Sequence, residues 1–152
     1  MQNKKIILGS DHAGFELKEE IKKFLEELGY EYEDLGTHSK EPCDYPKIAF
    51  EVAKKVIEAK STGILVCGSG LGEAIVANKI KGIRAANCFN EYTARMSREH
   101  NNSNLLCLGS RILKTNEAKN ITKIFLETDF SKEERHRRRV KQITQIEEKT
   151  CK

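Results

Sequence analysis

The sequence lacks several features that would assign it to a special class of protein. It has no hydrophobic run near membrane-spanning length and no signal peptide before Lys4. It has no Cys-x-x-Cys pair, and its five cysteines are odd in number and widely spaced, at positions 43, 67, 88, 107 and 151. This pattern disfavours a disulfide framework or a zinc site and predicts reduced thiols in a cytoplasmic protein without a metal. Repeats, linkers and low-complexity segments are also missing, so we expect one domain spanning residues 1–152.

Composition and charge leave the function open. Hydrophobic residues make up 38% and charged residues 33% of the chain, as in an ordinary globular protein. The net charge of +4 is modest, and it suits a small acidic substrate as well as nucleic acid. No membrane partner is expected from these numbers.

The most informative stretch is residues 63–79, GILVCGSGLGEAIVANK. Its apolar run at 64–67 predicts a strand buried on both faces of a parallel sheet, and a helix is expected from Glu73 to Ile80. Between them lies a tight turn with three glycines, Gly68, Gly70 and Gly72. A strand, a glycine turn and a helix N-terminus together predict an anion site. Cys67 ends the strand facing this site, so we expect its thiol pKa to be lowered.

This turn differs from three better-known glycine turns. The third glycine comes one residue too early for a dinucleotide fingerprint, and the Gly-Lys-Ser/Thr of a nucleotide-binding Walker loop is absent. A phosphatase loop of the Cys-x5-Arg type would need arginine where Glu73 stands. The alternative interpretation is structural: the glycines permit close helix–strand packing and Cys67 is a small core residue.

Five apolar runs alternate with helical patterns, which is typical of a doubly wound parallel α/β sheet of the Rossmann-like kind. The predicted strands are 4–8, 30–35, 64–67, 84–88 and 104–108, and the helices between and after them are 15–28, 46–59, 73–80, 91–99 and 116–127. In the common strand order 2-1-3-4-5, strands one and three flank the switch point of the sheet. The turns that follow them, at 10–12 and 67–69, would then converge on one crevice.

A last helix is predicted from a capping box at 131–134 to about Glu148. Its only apolar seam is thin, formed by Val140, Ile143 and Ile146. Because such a helix buries little on its own domain, we expect it to pack at least partly on a second subunit.

Four further groups have both a functional and a structural interpretation. Asp11 and His12 are site candidates or ordinary turn residues. His100, near a helix C-terminus, is a proton carrier or a cation stabilised by the helix dipole. Glu73 is a carboxylate base or a partner of the helix dipole. Arg135 and Arg139 share a helix face and could grip one phosphate; a solvated face is the structural alternative, and nucleic-acid binding is disfavoured because no aromatic residues interleave.

Several short motifs fall together in the order found in one known family. They are GSDHAG at 9–14, DYP at 44–46, CGSG at 67–70, ANK at 77–79, GIRA at 82–85, REHN at 98–101, GSR at 109–111 and RHRRR at 135–139. Over nearly its whole length the chain resembles the ribose-5-phosphate isomerase type B family, which is related to isomerases of allose and galactose 6-phosphates.

The resemblance implies interconversion of ribose 5-phosphate and ribulose 5-phosphate without a metal or an organic cofactor. Cys67 would be the base that moves a proton between C2 and C1, and Ser69 would assist proton traffic on the sugar oxygens. His100 would open the sugar ring, with Asp11 nearby. The remaining implied roles are an oxyanion site of backbone N–H groups from Gly68, Gly70, Leu71 and Gly72, phosphate binding by His12, Arg111, Arg135 and Arg139, and a sugar hydroxyl bound by Asn101.

The resemblance also implies a homodimer whose sites mix residues of two chains, with pairing into a tetramer left open. His100, Asn101 and Arg111 would come from the partner.

One departure from the family pattern concerns the base. Most members with this cysteine have an apolar residue at the position of Glu73, whereas a branch without the cysteine is thought to use a glutamate there. This chain has both groups, so either Cys67 is the base and Glu73 tunes it, or Glu73 is the base. We favour Cys67, and like-charge repulsion makes simultaneous ionisation of the two unfavourable.

Two other functions remain open from the sequence. Allose 6-phosphate could be a second or the main substrate. A phosphosugar-binding protein without turnover is a further alternative, although both candidate bases and His100 are present.

Overall fold

The computed structural model describes residues 4–151, which form one five-stranded parallel sheet and six α-helices. The strands are β1 (Ile6–Ser10), β2 (Tyr32–Asp34), β3 (Thr62–Cys67), β4 (Ala85–Asn87) and β5 (Leu105–Gly109). The helices are α1 (Phe15–Glu27), α2 (Tyr45–Glu58), α3 (Leu71–Ala77), α4 (Glu91–Glu99), α5 (Thr115–Glu127) and α6 (Glu134–Thr150). The predicted α/β class and the alternation of strands and helices are confirmed, with boundaries shifted by a few residues.

The strand order is β2-β1-β3-β5-β4, so the predicted order 2-1-3-4-5 is wrong for the last two strands. The physical reason lies in their hydrophobicity. All five residues of β5 are buried, whereas the three residues of β4 are only half-buried. The more apolar strand therefore lies inside the sheet and the shorter, more polar one forms its edge. The neighbours β1 and β3 are as predicted.

Successive side chains of each strand point to opposite faces of the sheet and contribute to two apolar layers, one on each face. On one face Ile6, Leu8, Ile64 and Val66 pack against α1, α4 and α5. On the other face Ile7, Leu65 and Cys107 pack against α2 and α3. Both faces are thus covered, which leaves the two ends of the strands as the places where polar groups meet.

Helix α6 lies outside these layers. His136 is its one buried residue, and Ile143 and Ile146 are 43% and 62% exposed. The predicted capping box at 131–134 is wrong: the Ser131 hydroxyl accepts from the Glu133 N–H at 3.1 Å, and the helix begins at Glu134, two residues later than a cap at Ser131 requires. The thin apolar seam predicted for this helix is therefore present and largely open to solvent.

Candidate active site

The carboxyl ends of β1 and β3 bring the first group of candidate residues together. Ser10 lies in register with Val66, and the Asp11 N–H donates to the Val66 carbonyl at 3.3 Å. Asp11 is therefore beside Cys67, which ends β3, as predicted from the switch point. Gly14 allows this approach, because a Cβ there would lie 2.0 Å from the Val66 carbonyl oxygen.

The glycine turn after β3 surrounds the Cys67 sulfur with backbone. Gly70 has a positive φ of 80° and donates its N–H to the Cys67 Sγ at 3.0 Å. The half-buried Ser69 accepts the Leu71 N–H at its hydroxyl, at 3.3 Å. The turn continues directly into α3, which begins at Leu71 rather than at the predicted Glu73.

The Cys67 thiol is 5% exposed, and its pKa is raised to about 11. Burial is the largest cause, and the negative charge of Glu73 is the second. Backbone N–H groups of Gly70, Glu73 and Ser69 act in the opposite direction but do not compensate. The predicted lowering of the thiol pKa is therefore wrong, because burial outweighs the donors of the turn.

Glu73 lies next to this thiol and is fully buried. Neither carboxylate oxygen has a hydrogen-bond partner of normal geometry within residues 4–151. Burial, and then the charge of Asp11, raise the pKa of Glu73 well above its usual value of 4.5; the nearby Cys67 thiol and Asp11 N–H only partly oppose this. Burial therefore favours the neutral form of this carboxyl, which disfavours the structural interpretation of Glu73 as a charged partner of the helix dipole.

His12 and Arg111 border the same crevice. The His12 Nδ1 accepts the Cys43 N–H at 3.1 Å, which leaves the proton on Nε2 as a donor. Arg111 donates its N–H to the Gly68 carbonyl at 3.0 Å, and its Nη1 would be 2.9 Å from a Cβ on Gly68. Arg111 therefore lies at the turn of its own chain, so the expectation that a partner supplies it is wrong.

A second group of candidate residues lies near the opposite, amino ends of the strands. His100 caps the C-terminus of α4 and stacks on His136 of α6, with ring centroids 4.1 Å apart and planes at 10°. The Asn101 carbonyl accepts from the Arg84 Nε at 2.9 Å. Arg135 and Arg139 lie in the first turns of α6, on exposed positions.

The two groups are far apart within one chain. Asn104, just after His100, accepts the Gly63 N–H at its carbonyl, so this segment lies where β3 enters the sheet. From Gly63 to Cys67 the strand advances four residues, or about 13 Å. One chain therefore presents His100 and Cys67 at opposite ends of its central strand.

Two residues at these sites were not assigned a role from the sequence. Tyr45 lies over the glycine turn, with its ring 2.4 Å from where a Cβ on Gly72 would be. His136 was noted only as part of the arginine run, and nothing in the sequence pattern indicates its stack with His100. Within residues 4–151 no group of three metal-ligating side chains comes together, and no helix is long and apolar enough to span a bilayer.

Comparisons with known proteins cover almost the whole chain. Residues 6–143 match the family model described as Ribose/Galactose Isomerase. Ribose-5-phosphate isomerase B of Escherichia coli is 46% identical over 147 residues, covering 96% of this chain and 98% of the relative. The structure of ribose-5-phosphate isomerase B of Clostridium thermocellum is 48% identical, with a TM-score of 0.93 and coverage of 96% and 99%. The enzyme of Mycoplasma genitalium with bound ribulose-5-phosphate is 40% identical, with a TM-score of 0.91 and coverage of 96% and 97%.

Proposed function

The chain belongs to the ribose/galactose isomerase family, and from this premise we infer that it is an aldose–ketose isomerase that interconverts ribose 5-phosphate and ribulose 5-phosphate. The observation that carries the inference is the full-length likeness to a relative whose structure holds ribulose-5-phosphate. A sugar phosphate needs polar side chains, and four of them meet at the carboxyl ends of β1, β3 and β5. They are Asp11, His12, Cys67 and Arg111.

The phosphate is bound by cationic and N–H donors from two copies of the chain. His12 donates from Nε2, because its Nδ1 is already occupied by the Cys43 N–H. Arg111 reaches the turn from the same chain. Arg135 and Arg139 of a second copy complete the anion site, since four residues of helix spacing place them on one face. Asn101 of that copy binds a sugar hydroxyl.

Ring opening is assigned to His100 of the second copy, with Asp11 nearby. The imidazole takes the proton from the anomeric hydroxyl, the bond from C1 to the ring oxygen breaks, and a proton is returned to that oxygen. The product is the open-chain aldehyde, and no net proton is gained or lost. A neutral imidazole has one accepting and one donating nitrogen, which suits it to both transfers.

Isomerisation then moves one proton between C2 and C1 and a second between the two sugar oxygens. Contact with the substrate carbon is assigned to Cys67, because Glu73 is fully buried whereas Cys67 keeps 5% of its surface exposed. Removal of the C2 proton gives an enediolate, whose oxygen is held by backbone N–H groups of residues 68–72. Ser69 passes the oxygen-bound proton, and Cys67 returns the carbon-bound proton to C1. No cofactor enters this sequence of transfers.

Glu73 permits the ionisation of Cys67 in this scheme only while its own carboxyl is protonated. Because the two groups are adjacent and buried, the pair carries at most one negative charge at a time. When that charge is on the sulfur, the neutral Glu73 no longer raises the pKa of the thiol by its charge. The alternative, in which Glu73 itself removes the carbon-bound proton, requires the carboxyl to leave its buried position.

A homodimer is the assembly proposed for the active protein. Two features support a dimer. The two halves of the site lie at opposite ends of β3, which advances about 13 Å from Gly63 to Cys67. The apolar seam of α6 is also exposed. A groove of about 530 Å³ lies beside that seam and includes Asn101. Sedimentation of the purified chain should give a dimer or a pair of dimers, and a monomer with full activity would contradict this proposal.

The whole chain, residues 1–152, is proposed to act as one isomerase domain in the cytoplasm. All five cysteines are free, which is compatible with a reducing compartment.

Turnover of ribose 5-phosphate, followed as ribulose 5-phosphate formation, tests the proposed function. Wild type, Cys67→Ala and Glu73→Gln are compared, with allose 6-phosphate as the second substrate. Loss of activity in Cys67→Ala with partial activity in Glu73→Gln supports Cys67 as the base, and the reverse result transfers the role to Glu73. If wild type turns over only allose 6-phosphate, the proposed substrate is wrong. If it binds either sugar phosphate without turnover, the chain is a binding protein and not an enzyme.

A further inference from the structure

His136 is the most unusual residue of α6. It is 3% exposed and is the only buried residue of a helix whose neighbouring arginines lie in solvent. Its ring lies nearly parallel to that of His100, with centroids 4.1 Å apart and an angle of 10° between the planes. Its Nε2 is buried and has no hydrogen-bond partner within the described part of the chain. A buried polar atom without a partner is uncommon in a native protein and calls for a physical reason.

The surroundings of His136 keep its ring neutral. Its pKa lies below the usual value because of burial first, and then because of His100 and Arg135; Arg139 adds to this, and only Glu133 opposes it. The neutral form of His136 is therefore favoured, and its ring offers a flat surface to the stacked His100.

We propose that His136 is a positioning residue that fixes the ring plane of His100, and with it the direction in which the His100 nitrogens face the sugar. The proposal rests on the proposed role of His100 in ring opening. Proton transfer requires donor and acceptor within hydrogen-bond reach, and rotation of an imidazole about its side-chain bonds moves its nitrogens out of line. A stacked ring held at 10° restricts that rotation.

The same contact ties ring opening to phosphate binding. Arg135 precedes His136 in the first turn of α6, and Arg139 follows one turn later. Because His136 alone buries this part of the helix against His100, it also sets the distance between the imidazole and the two guanidinium groups. One side chain therefore positions both functions that a second copy contributes to each site.

An experiment can separate ring opening from proton transfer at carbon. Ribulose 5-phosphate carries its phosphate on the C5 oxygen, so its C2 carbonyl cannot close a five-membered ring and the sugar is already open. Exchange of its C1 hydrogen in deuterated water needs only enolisation. Conversion of ribose 5-phosphate needs ring opening as well. Both rates are measured by NMR on the full-length protein.

His136→Leu keeps an apolar side chain of adequate volume but removes the flat ring, and His136→Phe is the matched control that retains it. We expect His136→Leu to lower ribose 5-phosphate turnover at saturating substrate by about tenfold, while C1 exchange at saturating ribulose 5-phosphate changes by less than about twofold, because weaker phosphate binding raises KM without lowering the saturated rate. His136→Phe should recover most of the turnover. His100→Ala should show the same separation of the two rates, and adding His136→Leu to it should cause little further loss, because residues that act through one another are not additive. His136→Asn provides a second ring-less variant where the leucine variant does not fold.

An equal loss of turnover and exchange in both ring-less variants would overturn the proposal and leave His136 as a general structural residue. So would a multiplicative loss in the double variant, or a phenylalanine variant as slow as the leucine variant. If wild type catalyses neither exchange nor turnover, the proposed isomerase function is wrong. Failure of the proposed function and failure of the His136 proposal are therefore distinguishable.

Discussion

Replacing Glu73 by glutamine should change how the stability of the protein depends on pH. The wild-type carboxyl is fully buried, has no hydrogen-bond partner for either oxygen in the described chain, and has a pKa raised well above 4.5 by burial and by Asp11. In the unfolded chain the carboxyl ionises as the pH passes 4.5, whereas in the folded chain it keeps its proton. Folding therefore takes up one proton above this pH. The free energy of unfolding falls as the pH rises, until the pKa of the folded state is reached.

The size of the effect follows from that proton. One proton bound only by the folded state changes the free energy of unfolding by about 1.4 kcal/mol per pH unit. Glutamine does not titrate. Its buried amide lacks partners, as the protonated carboxyl does, and its additional N–H donor costs about 1 kcal/mol at every pH. Below pH 4.5 Glu73→Gln should therefore be less stable than wild type. At higher pH this deficit should shrink and then reverse, because the free energy of unfolding of wild type falls relative to that of the variant by at most about 2.7 kcal/mol between pH 5 and pH 7.

Urea unfolding followed by circular dichroism, at one fixed protein concentration and several pH values, measures this difference. Glu91→Gln is the matched control, because Glu91 is also an acidic residue in the first turn of a helix but is exposed to solvent. The pH at which the difference stops growing reports the folded-state pKa of Glu73. Parallel stability curves for wild type and Glu73→Gln from pH 4.5 to 7.5 would refute the assignment of a buried neutral acid.

Three further substitutions test other parts of the structure. Lys18→Met should lower the free energy of unfolding, measured in urea, by about 3 kcal/mol. The buried ammonium is 2.6 and 2.7 Å from the two Asp34 oxygens, and its loss leaves that carboxylate poorly compensated. An unchanged midpoint would mean that Lys22 alone compensates the Asp34 carboxylate. Gly14→Ala should reduce both thermal stability and turnover, because its Cβ would meet the Val66 carbonyl and displace the turn that follows β1. Arg111→Met should raise the KM for ribose 5-phosphate about tenfold with a smaller change in kcat, and a KM that stays the same would remove Arg111 from the phosphate site.

The succession of elements could be predicted because each buried strand is an unbroken apolar run and glycines mark the turns. The order of the last two strands was predicted wrongly, because the common strand order was given more weight than the difference in hydrophobicity between the two runs. The polar composition of 84–88 against the apolar 104–108 was the available signal, because the polar run suits an edge. The predicted cap of α6 was wrong for a local reason. The Ser131 hydroxyl accepts a hydrogen bond within its own turn, and this turn takes the place of the first turn of the helix.

The chemistry at the end of β3 was predicted in position but not in electrostatics. The turn supplies N–H groups to Cys67 as expected, yet the sign of its pKa shift depends on how deeply the thiol and Glu73 are buried, which a pattern of residues does not report. Arg111 was predicted as a phosphate ligand. Which of the two chains supplies it depends on the path of the loop after β5, which the sequence does not show. The stack of His100 on His136 joins residues from two distant segments and has no signature in either one.

The placement of His100 and Cys67 at opposite ends of β3 has a consequence for genetics. Under the proposed pairing, a chain with Cys67→Ala and a chain with His100→Ala are each inactive alone, yet a mixed dimer contains one site built from the two intact halves and one site with both lesions. With random pairing of equal amounts, half of the dimers are mixed, so about one quarter of all sites are whole. Two defective alleles in one cell would then complement each other. The double lesion on a single chain would be rescued by neither partner, and each wild-type chain paired with it would lose both of its sites.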